Sequence, residues 1–250
     1  MAPGRNRPGA ALFGAILCGV ALAACHGSTL SDDAFGQRVR AYLLAHPEVL
    51  AEMSQKLEAK AAADDAAAMR KAEAALPALR ASLEHDPADA VANPTGSVTV
   101  TEFYDYRCPH CENAAPQVLA LIQQDPKVRV VFKEMPIFGP SSEHAAQDAL
   151  AVKAAGGDFI GLYRAYMAAR PLTDAEIDRL ALAHGAHASD LAPNGAFARK
   201  VKAQLARNAA LFNKLNLSGT PTFVIGDEII PGEDMEAVRT AVAKAEAAHA

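Results

Sequence analysis

The sequence predicts an α/β fold that is extended by a helical insertion and by a helical arm at the N-terminus. Two apolar β-type runs, residues 97–103 and 128–133, flank a helical pattern over about 108–124. A long helical stretch at about 141–217 then precedes a β-hairpin near 222–230 and a closing helix. Strands that alternate with helices, and that are apolar throughout, are typical of a central sheet covered by helices.

The composition is that of a globular protein. The chain has 250 residues, of which 51% are hydrophobic and 21% are charged, which suits one sizeable domain with additional segments. The net charge is −5 at pH 7. An acidic chain of this kind gives no reason to expect a nucleic-acid partner.

The first residues predict a secretory leader. Arg5 and Arg7 precede an apolar run over residues 10–24 that is short for a membrane span, and small residues end the run. This order predicts a signal peptide over residues 1–24 and a place in the periplasm or cell envelope, where disulfides persist. The run ends in Leu-Ala-Ala-Cys, which looks like a bacterial lipobox and would make Cys25 the site of a lipid anchor. Ordinary cleavage of the leader is the alternative.

Residues 31–85 predict the N-terminal helical arm. Pro47 fits the first turn of a second helix, and Pro77 is expected to break or kink the chain further on. The apolar side chains of these helices either fold back on the following domain or pack against copies of themselves in an oligomer. We favour the oligomer. The side chains concerned are Phe35, Val39, Tyr42, Leu43, Leu50, Met53 and Leu57. Residues 86–96 are rich in turn formers and predict a linker into the domain.

A Cys-x-x-Cys motif stands at the predicted junction of strand and helix. The free N–H groups and dipole of a helix N-terminus favour a thiolate at Cys108, which we expect to be exposed. Cys111, one turn further on, is expected to be buried and able to form a reducible disulfide with it. Pro109 suits the first turn, and His110 would lower the pKa of the Cys108 thiol by adding a donor or a positive charge. The motif therefore predicts a redox site.

Other uses of the motif fit less well. A zinc site needs two more cysteine or histidine ligands at similar spacing, but the nearest downstream histidine is His144, and a haem site needs histidine where Glu112 stands. A purely structural disulfide is disfavoured because so small a loop removes little unfolded-state entropy. No metal site and no dissociable cofactor are predicted. We expect His144, Asp105 and Arg107 to be surface residues.

Two further stretches accompany the motif. Residues 102–106 read Glu-Phe-Tyr-Asp-Tyr before it, and residues 219–223 read Gly-Thr-Pro-Thr-Phe. Together they resemble the DsbA-like thiol–disulfide oxidoreductases of the thioredoxin superfamily. Residues 39–50 resemble the N-terminal segment of the ScsC and Com1-like branch, in which some members oligomerise, the ScsC proteins as trimers. The resemblance implies a thioredoxin-like fold over residues 97–250 that carries the helical insertion.

The resemblance also implies roles for three residues outside the motif. Pro221 would be a cis proline that faces the cysteines, and Thr220 would offer its backbone to a substrate strand. Without the resemblance, Pro221 would be only an edge-strand proline. Glu102, six residues before Cys108, would be a buried acid of raised pKa that exchanges protons with Cys111 through water. The alternative is a glutamate that faces the solvent.

The predicted function is thiol–disulfide exchange with cysteine-containing exported proteins. Cys108 would form the mixed disulfide, Cys111 would resolve it, and a membrane redox partner would reset the pair. The direction of the exchange stays open. Pro109 and His110 favour an oxidase, whereas a homotrimeric arm favours an isomerase. A thiol-based copper or other metal-handling protein of the envelope and a passive chaperone-like clamp are the alternatives.

Overall fold

The computed structural model describes residues 32–192 and 195–248, so the predicted signal peptide and Cys25 lie outside the described residues. The described residues form eight helices and five strands. In chain order these are α1 (Asp32–Ala45), α2 (Glu48–Glu84), β1 (Ala90–Ala92), β2 (Val98–Tyr104), α3 (Pro109–Gln124), β3 (Val128–Glu134), α4 (Pro140–Ala154), α5 (Phe159–Ala168), α6 (Asp174–Ala183), α7 (Ala196–Lys214), β4 (Thr222–Ile225), β5 (Glu228–Pro231) and α8 (Met235–Ala248).

One five-stranded sheet organises the larger unit of the chain, Ala61–Ala250. The strand order is β1-β3-β2-β4-β5; β2 and β3 are parallel, and the other neighbours are antiparallel. Glu102 lies opposite Phe132 and Tyr104 opposite Glu134, so these four side chains share one face of the sheet. The predicted α/β class is confirmed, with four helices between β3 and the closing hairpin and with helices before the sheet.

Strand β1 lies inside the predicted linker. Its three residues pair antiparallel with residues 130–132 of β3 and make one edge of the sheet. Beside it, the buried Lys133 ammonium forms an ion pair with Asp89 and donates a hydrogen bond to the Ser82 carbonyl at 2.6 Å. The segment is therefore part of the domain rather than a free connection. Turn-forming residues on both sides of so short a strand conceal it in the sequence.

Helix α2 continues through Pro77, so the break that we considered there does not occur. Ala72, Leu76, Leu79 and Leu83 are buried along one side of it, in a cluster that includes Phe103 and Phe212. A proline within a helix costs about 3 kcal/mol, whereas burial of a leucine side chain contributes about 1.5–3 kcal/mol. Packing around Pro77 therefore offsets its local preference.

Truncation of Leu76 tests this packing. We expect Leu76→Ala to lower the free energy of unfolding by about 2–5 kcal/mol, because Leu76 is 1% exposed and the change leaves a cavity. Urea denaturation measures the loss. Lys71→Ala is the control, since Lys71 is exposed on the same helix, outside the apolar stripe, and should change stability by less than about 0.5 kcal/mol. Equal effects of the two substitutions would contradict this account of α2.

The described part of the smaller unit, residues 32–60, is α1 and the start of α2. None of these residues is buried. Their exposed large apolar side chains are Phe35, Val39, Tyr42, Leu43, Leu44, Leu50, Met53 and Leu57. So many apolar side chains in water mark an interaction surface. Within the described ranges, no helix has the length and apolarity that crossing a bilayer requires.

Candidate active site

The two cysteines lie at the start of α3, beyond the end of β2. Cys108 is the N-cap residue of α3 and Pro109 occupies the first helical turn. The Cys108 N–H donates to the Asp105 carbonyl at 3.1 Å, and the Cys108 carbonyl accepts from Glu112 N–H at 3.0 Å. These bonds set the first sulfur at the end of the helix where backbone donors converge.

Asp105 holds the loop before Cys108 in place. It is buried, and its carboxylate accepts hydrogen bonds from the backbone N–H groups of Arg107 (2.8 Å), Ile137 (2.7 Å) and Phe138 (3.1 Å). The prediction that Asp105 is a surface residue is therefore wrong. Arg107 is exposed, as expected, and its guanidinium donates to the Leu172 carbonyl at 2.7 Å.

The Cys108 thiol faces the loop before β4. Both cysteines are free thiols, and the Cys108 Sγ lies 3.1 Å from the Thr220 carbonyl oxygen. The Thr220–Pro221 peptide bond is cis, and a second cis bond joins Arg170 to Pro171. Cys108 is only 1% exposed, so the expectation of an exposed cysteine is wrong for this form of the protein.

The environments of the two thiols shift their pKa values in opposite directions. The pKa of Cys108 is lowered to about 5, chiefly because Cys111 donates a hydrogen bond to its sulfur. Burial opposes this shift, while the backbone N–H groups of Cys111 and His110 support it. The pKa of Cys111 is raised by burial first, and then by Cys108 and by the charge of Glu102. At neutral pH the pair therefore combines a thiolate at Cys108 with a thiol at Cys111.

His110 acts on the sulfur through its backbone N–H group. Its ring is largely exposed and lies with Nδ1 3.5 Å from the Glu233 Oε1. We expected an N–H donor or a positive charge from His110, and the backbone N–H group is the donor. In the structure the ring instead faces the residues just before α8.

The low pKa of Cys108 gives a measurable pH dependence. Thiolate absorbance of the reduced protein should rise with a midpoint near pH 5, against about 8.5 for an ordinary cysteine. Because the folded-state pKa is depressed, the stability that this group adds to the reduced form is complete above pH 9 and is lost as the pH falls toward 5. Cys111→Ala should move the midpoint upward by removing the S–H donor. A midpoint of 8 to 9 in the unaltered protein would contradict the geometry.

Glu102 lies on β2, the strand that precedes the cysteines, and is fully buried. Both of its carboxylate oxygens accept from the Tyr163 hydroxyl, at 3.2 and 3.3 Å. Burial raises the pKa of Glu102 to about 8, and the hydrogen bond from Tyr163 only partly opposes this. A carboxyl of this pKa can gain or lose a proton near neutral pH.

Several residues of the site escaped sequence reasoning. Glu134 is a second buried acid on the same face, and it accepts from the hydroxyls of Tyr104 at 2.5 Å and Tyr106 at 3.1 Å. Arg170 forms an ion pair with Glu112 at 2.7 Å, directly after Cys111. Glu134 lies opposite Tyr104 in the pairing of β3 with β2, a register that the sequence does not display. No local pattern signals Arg170, since it reaches the site from the loop that follows α5.

Comparisons with known families and structures agree with this geometry. The profile of the DSBA-like thioredoxin domain matches residues 99–243, and that of the copper resistance protein ScsC N-terminal domain matches residues 33–64. A comparison with curated proteins found no match.

Solved structures from three bacteria are similar to the chain. A thioredoxin-like oxidoreductase from Silicibacter pomeroyi DSS-3 is 36% identical, with a TM-score of 0.61 over 67% of this chain and 97% of the other. ScsC from Proteus mirabilis, in a transitional conformation, is 28% identical, with a TM-score of 0.60 over 87% and 99%. A periplasmic thioredoxin-like protein from Salmonella enterica serovar Typhimurium is 29% identical, with a TM-score of 0.61 over 68% and 96%.

Proposed function

Because this chain belongs to the family of proteins with a DSBA-like thioredoxin domain, which are thiol–disulfide oxidoreductases, we propose that it forms or reshuffles disulfides in exported proteins of the cell envelope. The observation that carries the proposal is the opposed acidity of the two thiols. Cys108 favours the thiolate and Cys111 the thiol, at a helix N-terminus that faces a cis proline. This asymmetry is what a thiol–disulfide exchange reaction requires.

The proposed reaction has two displacement steps. A substrate thiolate attacks the Cys108 sulfur of the Cys108–Cys111 disulfide, forming a mixed disulfide while Cys111 leaves and takes up a proton. A second substrate thiolate attacks the substrate sulfur of the mixed disulfide and releases Cys108 as a thiolate. The substrate loses two electrons and becomes a disulfide, and the protein gains them. Cys108 is a good leaving group because its pKa is low.

The surrounding residues have separate roles in this proposal. Glu102, with a pKa of about 8, would supply the proton that Cys111 takes up, through water. Thr220 and Pro221 would align the substrate backbone beside Cys108. Pro109 and the backbone N–H of His110 would keep donors directed at the sulfur.

The cellular setting belongs to the same proposal. The similarity to a periplasmic thioredoxin-like protein of Salmonella enterica supports a periplasmic place. The Leu-Ala-Ala-Cys run that ends at Cys25 is the reason to propose a lipid anchor there. Cysteine-containing exported proteins would be the substrates, and a membrane redox partner would restore the cysteines. An oxidase would be kept in the disulfide form by that partner, whereas an isomerase would be kept reduced.

Two measurements on one protein test the proposal. The oxidised protein is mixed with a reduced dithiol peptide, and disulfide formation in the peptide is followed. In parallel, acid quench and alkylation of intact cells report the redox state of Cys108 and Cys111. A mostly oxidised pair means a disulfide donor, and a mostly reduced pair means an isomerase or reductase. Failure to exchange with any dithiol or disulfide peptide would overturn the proposal.

Self-association through α1 and the first turns of α2 is the expected use of their exposed apolar side chains, with a homotrimer as the proposed form. We expect Val39→Asp with Tyr42→Asp to lower the measured mass to that of a monomer, because charges resist burial in an apolar interface. Light scattering measures the mass, and Arg38→Asp is a matched control on the same helix. A monomeric unaltered protein would contradict the prediction.

A copper-handling role is the second candidate, favoured by the match of residues 33–64 to a domain of copper resistance proteins. Two thiols are soft ligands suited to Cu(I). Stoichiometric Cu(I) binding without any exchange or refolding activity would support this role and exclude the enzymatic one.

A further inference from the structure

A cluster of one histidine and two aspartates joins α4 to α6, outside the redox site. His144 and Asp148 are one turn apart on α4, and Asp178 comes from α6. The His144 Nε2 lies 2.7 Å from the Asp178 Oδ1 and 3.6 Å from the Asp148 Oδ2. One side-chain nitrogen or oxygen from each residue falls within 4.8 Å of the others.

Asp148 is the decisive member of the cluster. Its side chain is 0% exposed, and within the described part of the chain neither of its carboxylate oxygens has a hydrogen-bond partner. Nearly all buried polar groups in proteins are hydrogen-bonded, and a buried carboxylate without such bonds is costly unless a cation or a proton compensates it. The carboxylate faces the His144 ring and the Asp178 carboxylate, where a bound cation would have three ligands.

The surroundings of the cluster are acidic and accessible. Asp174 adds a third carboxylate, with its Oδ1 3.8 Å from the His144 Nδ1. A cleft of about 570 Å³ reaches His144, Asp174 and Asp178, and Lys202 and Glu143 also line it. Three carboxylates around one imidazole leave the cluster negatively charged. An ion can reach it from the cleft.

We propose that His144, Asp148 and Asp178 bind a divalent transition-metal ion of the Zn²⁺ class. Imidazole nitrogen and carboxylate oxygen are ordinary Zn²⁺ ligands, with bonds of about 2.0–2.2 Å, and three protein ligands leave one position for water. The ion would tie α4 to α6. Cu(I), which prefers thiolates and thioethers, is not the ion that this set selects.

No local pattern in the sequence indicates this site, and we expected neither a metal nor a partner for His144. Two of the ligands follow the helical i, i+4 spacing, but the third is 34 residues away from His144 along the chain. Only the packing of α6 on α4 brings Asp178 to the pair. The competing explanation is a proton shared between Asp148 and Asp178, which needs no metal.

Zinc titration of the oxidised full-length protein tests the proposal. The disulfide removes Cys108 and Cys111 as ligands, and remaining thiols are alkylated beforehand. Calorimetry should show one Zn²⁺ equivalent per chain, and thermal unfolding should move to higher temperature with Zn²⁺. Asp148→Asn and His144→Ala should each weaken binding at least about tenfold and remove the thermal shift. His184→Ala is the matched control, because His184 sits beside Asp158 at the other end of α6 and should leave both results unchanged.

The isosteric Asp148→Asn variant keeps the test decisive. Its unfolding temperature without metal shows whether it folds, and Asp178→Asn provides a second variant at the accessible end of the cluster. Absence of saturable Zn²⁺ binding by the unaltered protein would overturn the proposal. Binding that persists unchanged in Asp148→Asn would overturn it as well, since it would be adventitious binding to surface groups.

Discussion

Serine in place of Cys111 is expected to trap substrates on the protein as mixed disulfides. When the reduced protein attacks a substrate disulfide, Cys108 of Cys111→Ser is still a nucleophilic thiolate, but the Cys111 thiol that would resolve the mixed disulfide is gone. Cys111 is the near neighbour whose thiol donates to the Cys108 sulfur, so its attack is intramolecular and strongly favoured over attack from solution. Turnover should fall at least about a hundredfold while the first exchange step survives.

Non-reducing electrophoresis of Cys111→Ser, mixed with a peptide disulfide, measures this outcome directly. A band at the combined mass, removed by dithiothreitol, is the expected product. Cys108→Ser is the control and should give neither the band nor turnover. If Cys108→Ser retained full cellular function, the protein would act as a passive clamp and the redox account would be wrong.

Glu102→Gln is expected to gain stability over the unaltered chain as the pH rises from 4.5 to 8. Burial raises the pKa of Glu102 from an ordinary 4.5 to about 8, so the folded state holds its proton more tightly than the unfolded state does. The stability associated with this group is therefore present below pH 4.5 and is lost as the pH rises toward 8. The loss amounts to at most about 5 kcal/mol, and glutamine removes it.

Urea denaturation of both proteins between pH 4.5 and 8.5 measures the effect. The difference between them is the readout, because other titrating groups are common to both and any fixed cost of the buried amide does not vary with pH. Tyr163→Phe is the companion variant. It removes the hydrogen bond that lowers the pKa of Glu102, so its stability should fall more steeply with pH than that of the unaltered chain. A difference that is independent of pH would rule out a perturbed Glu102.

The redox pair could be located from sequence because its signals are local. A strand end, two cysteines in one helical turn and a proline at the first helical position lie within a few residues of one another. The closing hairpin could also be predicted, because its turn contains a glycine. Gly226 takes a positive φ of 56° there, a backbone conformation that glycine tolerates. The similarity of Thr220 and Pro221 to a known motif added the second half of the site.

The features that sequence reasoning missed depend on contacts between distant parts of the chain. Helix α2 passes through Pro77 because Leu76 and Leu79 bury against Phe103 and Phe212. Asp105 looked like a surface acid, yet the backbone of Ile137 and Phe138 folds over it. In each case tertiary packing overrides a local preference, which a single sequence does not display.

The two edges of the sheet affect the tendency of the domain to aggregate. Unpaired strand edges act as templates for aggregation, and short edge strands limit this risk. Here the outer strands are only three and four residues long, and β5 ends in Pro231, which has no N–H to offer. Neighbouring chains therefore meet little free strand edge on this sheet, so edge-to-edge association of the domain is disfavoured.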